Sequence, residues 1–334
     1  MEISARDWFE ERSFHWRDFA GLAEPGPAGA RPPATVSLVL PARNVAETIG
    51  PILDQVTRLN ARSGLVDQVI VVDADSADGT AAIARERGAE VYSENELMPE
   101  YGVARGKGDA MWRSLSVARG DIVMFADADT KHFGEHFVYG TLGPLLAMPG
   151  LRFTKAAYRR PFTDTAVPVV DGGGRVTELM AKPLFNFFCP DLAGFVQPLA
   201  GEFAAHRELL CKIPFLTGYG VELGILVDVL REVGLSEMAQ VDLGIRHNRH
   251  QPLWDLARMS YTVLRAMMRR MDVPDRGTAV PDVPGIWPLR PSDVYLHAVA
   301  AEEGLQLDAY PDELLERPPM AEVLAADRDR DTVA

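Results

Sequence analysis

The sequence predicts an α/β fold, with a mostly parallel central sheet in its first half and a more helical second half. Three observations predict it. Apolar runs of the buried parallel type recur at Val36-Ser37-Leu38-Val39-Leu40, Val69-Ile70-Val71-Val72 and Ile122-Val123-Met124-Phe125. Segments with helical spacing separate these runs, which is the rhythm of βαβ units. Each run leads into polar residues, and ligands of open α/β sheets bind at the carboxyl ends of the strands.

The elements follow in order. Residues 1–20 carry the aromatic stripe Trp8, Phe9, Phe14 and Trp16 and read as one helix docked on the main body, and 21–35 are a Pro/Gly/Ala linker. The strand that starts at Val36 should stop at Pro41, which lacks a ladder donor. Ile49, Ile52, Leu53, Val56 and Leu59 share one face of a helix over 46–61. Val69–Val72 is the second strand, Asp78 is placed to cap a helix over 79–88, and Glu90-Val91-Tyr92 is a short third strand. A helix over 107–119 precedes a strand over 121–127. Beyond residue 150 the pattern gives a strand over 151–158 and helices over 177–188, 202–211, 219–234 and 252–271, then a Pro-rich, acidic arm. Four regions result: 1–35, 36–150, 151–272 and 273–334.

Composition narrows the function. The 334 residues are 47% apolar, enough for a sizeable core. A formal charge of −14 argues against nucleic-acid and anionic-membrane partners, though not against a small anionic substrate. Cys189 and Cys211 are too few for a disulfide framework or a zinc cluster. There is neither a membrane-length apolar run nor a signal-peptide core, so a cytoplasmic enzyme is expected. No G-x-G-x-x-G follows the first strand and no P-loop occurs, which removes the main signature of dinucleotide and P-loop folds.

The chemistry gathers at strand ends. Asp127 and Asp129 leave an apolar strand at spacing i, i+2, which points both carboxylates the same way. Such a pair suits Mg²⁺ or Mn²⁺ shared with substrate phosphates; the plainer reading is an acidic turn. Lys107, between Gly106 and Gly108 at a helix start, can bring an ammonium to a diphosphate. Gly172-Gly173-Gly174-Arg175-Val176-Thr177 combines close backbone approach, a guanidinium fork and a hydroxyl, an anion cradle. His247-Asn248-Arg249-His250 ends a strand-like stretch and can complete a metal site begun by carboxylates. Glu222 sits early in an apolar helix, either as an N-terminal charge or as an active-site group.

These residues resemble those of the glucosyl- and mannosyl-3-phosphoglycerate synthases, retaining glycosyltransferases of the GT-A fold. VSLVLPARN, VVDADSADGT, RGKGDAMWRSL and RGDIVMFADAD are shared by many GT-A enzymes; GGGRVTEL, QPLAGE and GYGVE are more specific, and the matching pieces run in order from about 36 to 271. The resemblance implies a nucleotide-sugar donor in region 36–150, bound by Pro41, Ala42, Asn44, Ser76, Lys107 and Asp127. It implies 3-phosphoglycerate in region 151–272, held by Gly174, Arg175 and Thr177, with Tyr219 and Glu222 near the transferred sugar or the acceptor. Asp127, Asp129 and Glu222 are then the candidate catalytic residues, and Asp129 the Mg²⁺ or Mn²⁺ ligand. Relatives carry His-Arg-Asn where this chain has Asn248-Arg249-His250, so the further ligand is Asn248, His250 or His247. Such enzymes are thought to react by front-side displacement, with a donor phosphate oxygen taking the acceptor proton, and no protein base is assigned. GDP-mannose is favoured over UDP-glucose or GDP-glucose, because Asp73 or Asp75 can accept from a guanine N1/N2 edge. A homodimer is implied. The alternatives are a sugar-nucleotidyltransferase, disfavoured by Pro41-Ala42-Arg43-Asn44 where a Gly-rich basic loop should stand, and an inactive binding protein on the same fold.

Overall fold

The computed structural model describes residues 3–26, 34–161, 173–247, 251–271, 292, 294–301 and 304–333. Among the described residues, nine strands lie before residue 250: β1 (Ser13–His15), β2 (Val36–Ala42), β3 (Gln68–Asp73), β4 (Glu90–Ser93), β5 (Ile122–Phe125), β6 (Phe153–Arg159), β7 (Phe203–His206), β8 (Phe215–Leu216) and β9 (Met238–Ile245). All but β8 form one eight-stranded sheet in the order β1-β9-β6-β7-β5-β2-β3-β4. Only β7 runs antiparallel to its neighbours β5 and β6, so the sheet is mostly parallel. Strands on both sides of residue 150 therefore belong to the same sheet.

Helices α1 (Ala5–Arg12), α2 (Ala46–Ser63), α3 (Thr80–Glu86), α4 (Lys107–Ser114), α5 (His136–Ala147), α6 (Lys182–Phe188), α7 (Arg207–Lys212), α8 (Val221–Val233), α9 (Leu253–Arg270) and α10 (Met320–Val333) surround the sheet. Strand alternation divides the core between its two faces. Leu38, Leu40 and Met124 face a layer with Ile52, Leu53 and Phe137, whereas Val39 and Phe125 face Trp112, Phe185 and Leu226. The C-terminal arm adds a ribbon, β10 (Val294–Ala301) with β11 (Gly304–Pro311), and β12 (Glu316–Arg317), which pairs with β8. No described helix is long and apolar enough to cross a membrane.

Several boundaries differ from those read in the sequence. The N-terminal segment is not one helix: α1 ends at Arg12, and Ser13–His15 adds an edge strand beside β9 before a 3₁₀ turn over Trp16–Ala23. Trp8 anchors α1, with its indole N–H donating to the Met238 carbonyl at 2.8 Å. β2 continues through Pro41, which pairs with Val72 beyond the last β2–β5 partner, Val39, so no ladder donor is missed there. The helix from Lys107 ends at Ser114 rather than residue 119. Residues 203–206, read as helix, are the antiparallel strand β7 between β5 and β6.

Candidate active site

β5 ends at Phe125, and the chain leaves the sheet through Ala126-Asp127-Ala128-Asp129. Ala126 and Ala128 turn into the core, and the two carboxylates share the other side. One guanidinium nitrogen, Arg246 Nη2, reaches both, at 2.7 Å from Asp127 Oδ2 and 3.3 Å from Asp129 Oδ1. Their environments differ: the Asp129 side chain is 58% exposed and that of Asp127 only 18%.

Asp127 is enclosed by cations. Lys107 Nζ donates to its Oδ1 and, at 2.7 Å, to Glu222 Oε1, so α4 and α8 meet over the end of β5. Gly201 lies beneath; a Cβ there would fall 2.0 Å from Asp127 Oδ1, so the close approach needs glycine. Burial alone would raise the Asp127 carboxyl, but Lys107 and Arg246 outweigh it and hold it well below the usual carboxylate range. Burial alone would lower the Lys107 ammonium, but Asp127 and Glu222 hold it protonated above its ordinary value.

Behind this pair lies a buried network. Arg246 Nη1 donates to Tyr158 OH at 2.7 Å and to Glu202 Oε2 at 3.3 Å, and its Nε donates to Thr130 Oγ1 at 3.2 Å. Glu202 is wholly buried and also accepts from Tyr158 and Thr130. Burial pushes Glu202 up despite Arg246. Lys155, on β6, is also wholly buried; its Nζ lies 4.9 Å from the Phe203 ring centroid and has no hydrogen-bond partner among the described residues. Burial pushes its pKa down to about 8.

Two cavities open on the cluster. The larger, about 600 Å³, runs from Pro41, Ala42 and Asp75 to Gly106 and Lys107. The smaller, about 220 Å³, is bounded by Arg160, Gly174, Arg175, Thr177 and Glu222. Lys107, Asp127, Asp129 and Tyr219 line both.

The structure thus brings most residues singled out in the sequence to this junction. Gly174 is in the left-handed region at φ +72°, and Gly173 N–H donates to the Arg160 carbonyl at 2.9 Å, shaping the cradle. Arg175 Nη2 donates to the Gln251 carbonyl at 2.9 Å, and Thr177 opens a π-helical turn leading into α6. Asn44 and Ser76 line neither cavity; Asn44, at φ +50°, donates its N–H to Ser76 Oγ at 2.8 Å, and this bond braces the loop after β2. Asp73 is buried, lines neither cavity and accepts the Ser76 N–H at its Oδ2, whereas Asp75 lines the larger cavity, held by Ser93 and Asn95 at 2.9 Å each. His247 is exposed and bridges Lys131. Asn248 and His250 lie outside the described residues. Among the described residues, no three His, Cys, Asp or Glu side chains gather at metal-ligand spacing.

Sequence reading missed Arg246, Glu202, Tyr158, Arg160 and Gly201. The available signal was a charged residue at the end of an apolar run: Arg246 follows Leu243-Gly244-Ile245, and Glu202 precedes Phe203-Ala204-Ala205.

Residues 37–145 match the family model of glycosyl transferase family 2. With this fold and a carboxylate pair at a strand end, the chain is a glycosyltransferase of the GT-A class. The crystal structure of mannosyl-3-phosphoglycerate synthase from Rubrobacter xylanophilus superposes with a TM-score of 0.84 at 57% identity, covering 96% of this chain and 99% of that one. That of glucosyl-3-phosphoglycerate synthase from Mycobacterium tuberculosis, a complex with Mn²⁺, UDP and glucosyl-3-phosphoglycerate, gives 0.74 at 38% identity, covering 87% and 92%. Glucosyl-3-phosphoglycerate synthase from Petrotoga mobilis is 39% identical over 268 residues, 80% of this chain and 82% of that protein. This chain belongs to the glucosyl- and mannosyl-3-phosphoglycerate synthase family.

Proposed function

We propose that this protein transfers a hexose from a nucleotide sugar to the hydroxyl of 3-phosphoglycerate. The observation that carries the reading is the pair of cavities sharing Lys107, Asp127, Asp129 and Tyr219, which lets two bound substrates meet at one cluster. The donor occupies the larger cavity, with Pro41 and Ala42 under its base and ribose and Lys107 toward its diphosphate. The acceptor occupies the smaller one, its charged groups held by Gly174, Arg175, Thr177 and Arg160. Mn²⁺ and UDP in the Mycobacterium tuberculosis complex support a divalent cation here. Asp129 fits as its protein ligand, because such a cation is commonly held by one or two carboxylates plus substrate phosphates. Asn248, His250 or His247 would complete the set. The bound cation would supply charge for the leaving diphosphate.

The chain's own groups position the reactants. Lys107 stays charged beside the departing phosphate; Asp127, fixed by Lys107, Arg246 and Gly201, holds Lys107 at the junction together with Glu222. The bond from sugar C1 to the diphosphate oxygen breaks, the acceptor oxygen bonds to C1, and the acceptor proton passes to the leaving phosphate. Region 36–150 is then the donor side and 151–272 the acceptor side.

Our reading of the donor favours GDP-mannose. The 57% identity to a mannosyl synthase supports it, as does Asp75, because guanine offers a paired N1–H and N2–H donor edge and uracil a single N3–H. Parallel turnover with GDP-mannose, GDP-glucose and UDP-glucose tests it, and a clear preference for the uridine donor overturns the GDP-mannose assignment while leaving the hexosyl transfer standing.

A cytoplasmic homodimer belongs to the same proposal. The ribbon packs Tyr295 and Tyr310 toward α9 and turns out Leu296, Ala298, Leu307 and Ala309, with Leu296 57% and Leu307 62% exposed. Such a two-stranded unit is marginal alone. Light scattering should give twice the chain mass; a monomer overturns this part.

A further inference from the structure

The charged C-terminal strand β12 sends a guanidinium back 208 positions in sequence to the helix that carries Lys107. Arg317 Nε lies 2.9 Å from Asp109 Oδ1 and its Nη2 lies 2.6 Å from Asp109 Oδ2, a two-toothed bond in which Asp109 is wholly buried and Arg317 only 7% exposed. Such fork-to-carboxylate pairing fixes direction as well as distance. Asp109 is in the first turn of α4, two residues after Lys107. Its second role is to accept the Arg105 N–H at 2.9 Å, which closes the turn leading into Lys107. Arg113, also wholly buried, shares Asp109 at 3.2 Å and ties Gly102 and the carbonyls of residues 97 and 98 to the same point. Arg317 Nη1 donates to the Tyr101 carbonyl at 3.1 Å, and its guanidinium lies over the rings of Tyr101 and Trp112 at 5.9 and 5.6 Å.

The arm grips the other side of the entrance too. Thr217 N–H donates to the Leu315 carbonyl at 2.9 Å, Gly218 N–H donates to the Arg105 carbonyl at 3.1 Å, and Glu313 pairs with Arg105. Gly108 has no room for a side chain, since a Cβ would fall 2.0 Å from the Leu216 carbonyl of β8, the partner strand of β12. The turn before α4, β8 and the arm therefore form one unit, and Lys107 stands at its edge over the donor cavity.

We infer that Arg317 is a positioning residue for diphosphate binding: through Asp109 it sets α4 so that Lys107 stands between Asp127 and the donor cavity. This rests on the donor reading given above. It predicts a defect weighted toward the nucleotide, because Ala104, Gly106, Lys107 and Gly218 of this unit line the donor cavity and, of these four, Lys107 alone lines the acceptor cavity.

The test uses the full chain and isothermal titration with GDP and UDP in Mn²⁺, and separately with 3-phosphoglycerate. Arg317→Lys keeps one charge but loses the planar fork, and Arg317→Ala opens a space beside Tyr101 and Trp112. Both should bind the nucleoside diphosphate on the order of tenfold more weakly or worse, with 3-phosphoglycerate affinity within about twofold of the parent. Millimolar guanidinium chloride should restore nucleotide affinity to Arg317→Ala, and the same concentration of sodium chloride should not. If folded Arg317→Lys binds nucleotide as the parent does, or if both ligands weaken equally, the inference falls. If Arg317→Ala does not fold, Arg317→Lys decides alone. A parent protein that binds neither GDP nor UDP would instead overturn the donor reading itself.

Discussion

Replacing Arg246 with Met is the sharpest perturbation of the buried network. The guanidinium, 2% exposed, serves Asp127, Asp129, Glu202, Tyr158 and Thr130, and Met keeps much of its volume without the charge. Glu202 would be left wholly buried without a hydrogen-bonded cation, and Asp127 would keep only Lys107 as an ion-pair partner. Breaking a buried ion pair on one side costs roughly 3–5 kcal/mol. For a chain of 334 residues that corresponds to a fall in Tm of roughly 4–7 °C. The loss should depend on pH. Glu202 already binds its proton more tightly than an ordinary carboxyl because of burial, and removing Arg246 strengthens that tendency. The folded variant then holds more protons than the unfolded chain above the ordinary Glu value, so its stability falls as pH rises. The deficit relative to the parent should be smaller at pH 5 than at pH 8. Thermal melts at both pH values, with donor turnover measured on the folded fraction, provide the assay. A Tm within about 1 °C of the parent at pH 8, or a deficit larger at pH 5, would refute the network as described.

Other perturbations address single parts of the site. Gly201→Ala places a methyl where Asp127 Oδ1 lies, so turnover should drop on the order of a hundredfold, with the fold kept by circular dichroism; activity near that of the parent would mean that Asp127 can move without consequence. Arg175→Ala should raise the 3-phosphoglycerate KM at least about tenfold with donor KM little changed, the cost of a charge-assisted contact; an unchanged acceptor KM removes Arg175 from the cradle. Lys155→Met should stabilise the protein at pH 7 by roughly 1–3 kcal/mol, since the buried ammonium has no hydrogen-bond partner among the described residues and burial outweighs the nearby carboxylates, leaving its pKa at about 8. Below pH 8 the folded and unfolded lysines are both charged and the burial cost is complete; between about 8 and 10.5 the folded lysine loses its proton first and stability rises with pH, so the advantage of Met should shrink across that window. A constant difference from pH 7 to pH 10 by chemical denaturation would contradict it.

The carboxylates after the third apolar run and the lysine at a helix start were legible in the sequence. Asp127, Asp129 and Lys107 sit where a βαβ chain must place them, at strand ends and a helix start, and the structure joins them to Glu222 within one hydrogen-bonded cluster. Gly174, Arg175 and Thr177, grouped by their adjacency in the sequence, line one cavity beside that cluster. β7 was not legible, because Phe203-Ala204-Ala205 has the local composition of a helix and becomes a strand only between β5 and β6. The Arg246–Glu202 pair and the Arg317–Asp109 pair join residues 44 and 208 positions apart, and no local periodicity connects them. Asp73 was misplaced for a related reason: it ends β3 on the inner side and is used by the loop it begins.

The most direct measurement mixes the protein with 3-phosphoglycerate, Mn²⁺ and each nucleotide sugar in turn and identifies the product by mass and by the configuration at its sugar C1. The expected product is a hexosyl-3-phosphoglycerate with the donor's configuration retained, formed by the parent, lost with chelator and lost in Asp129→Ala. Full turnover by Asp129→Ala in chelator, or no product from the parent with any donor, would contradict it.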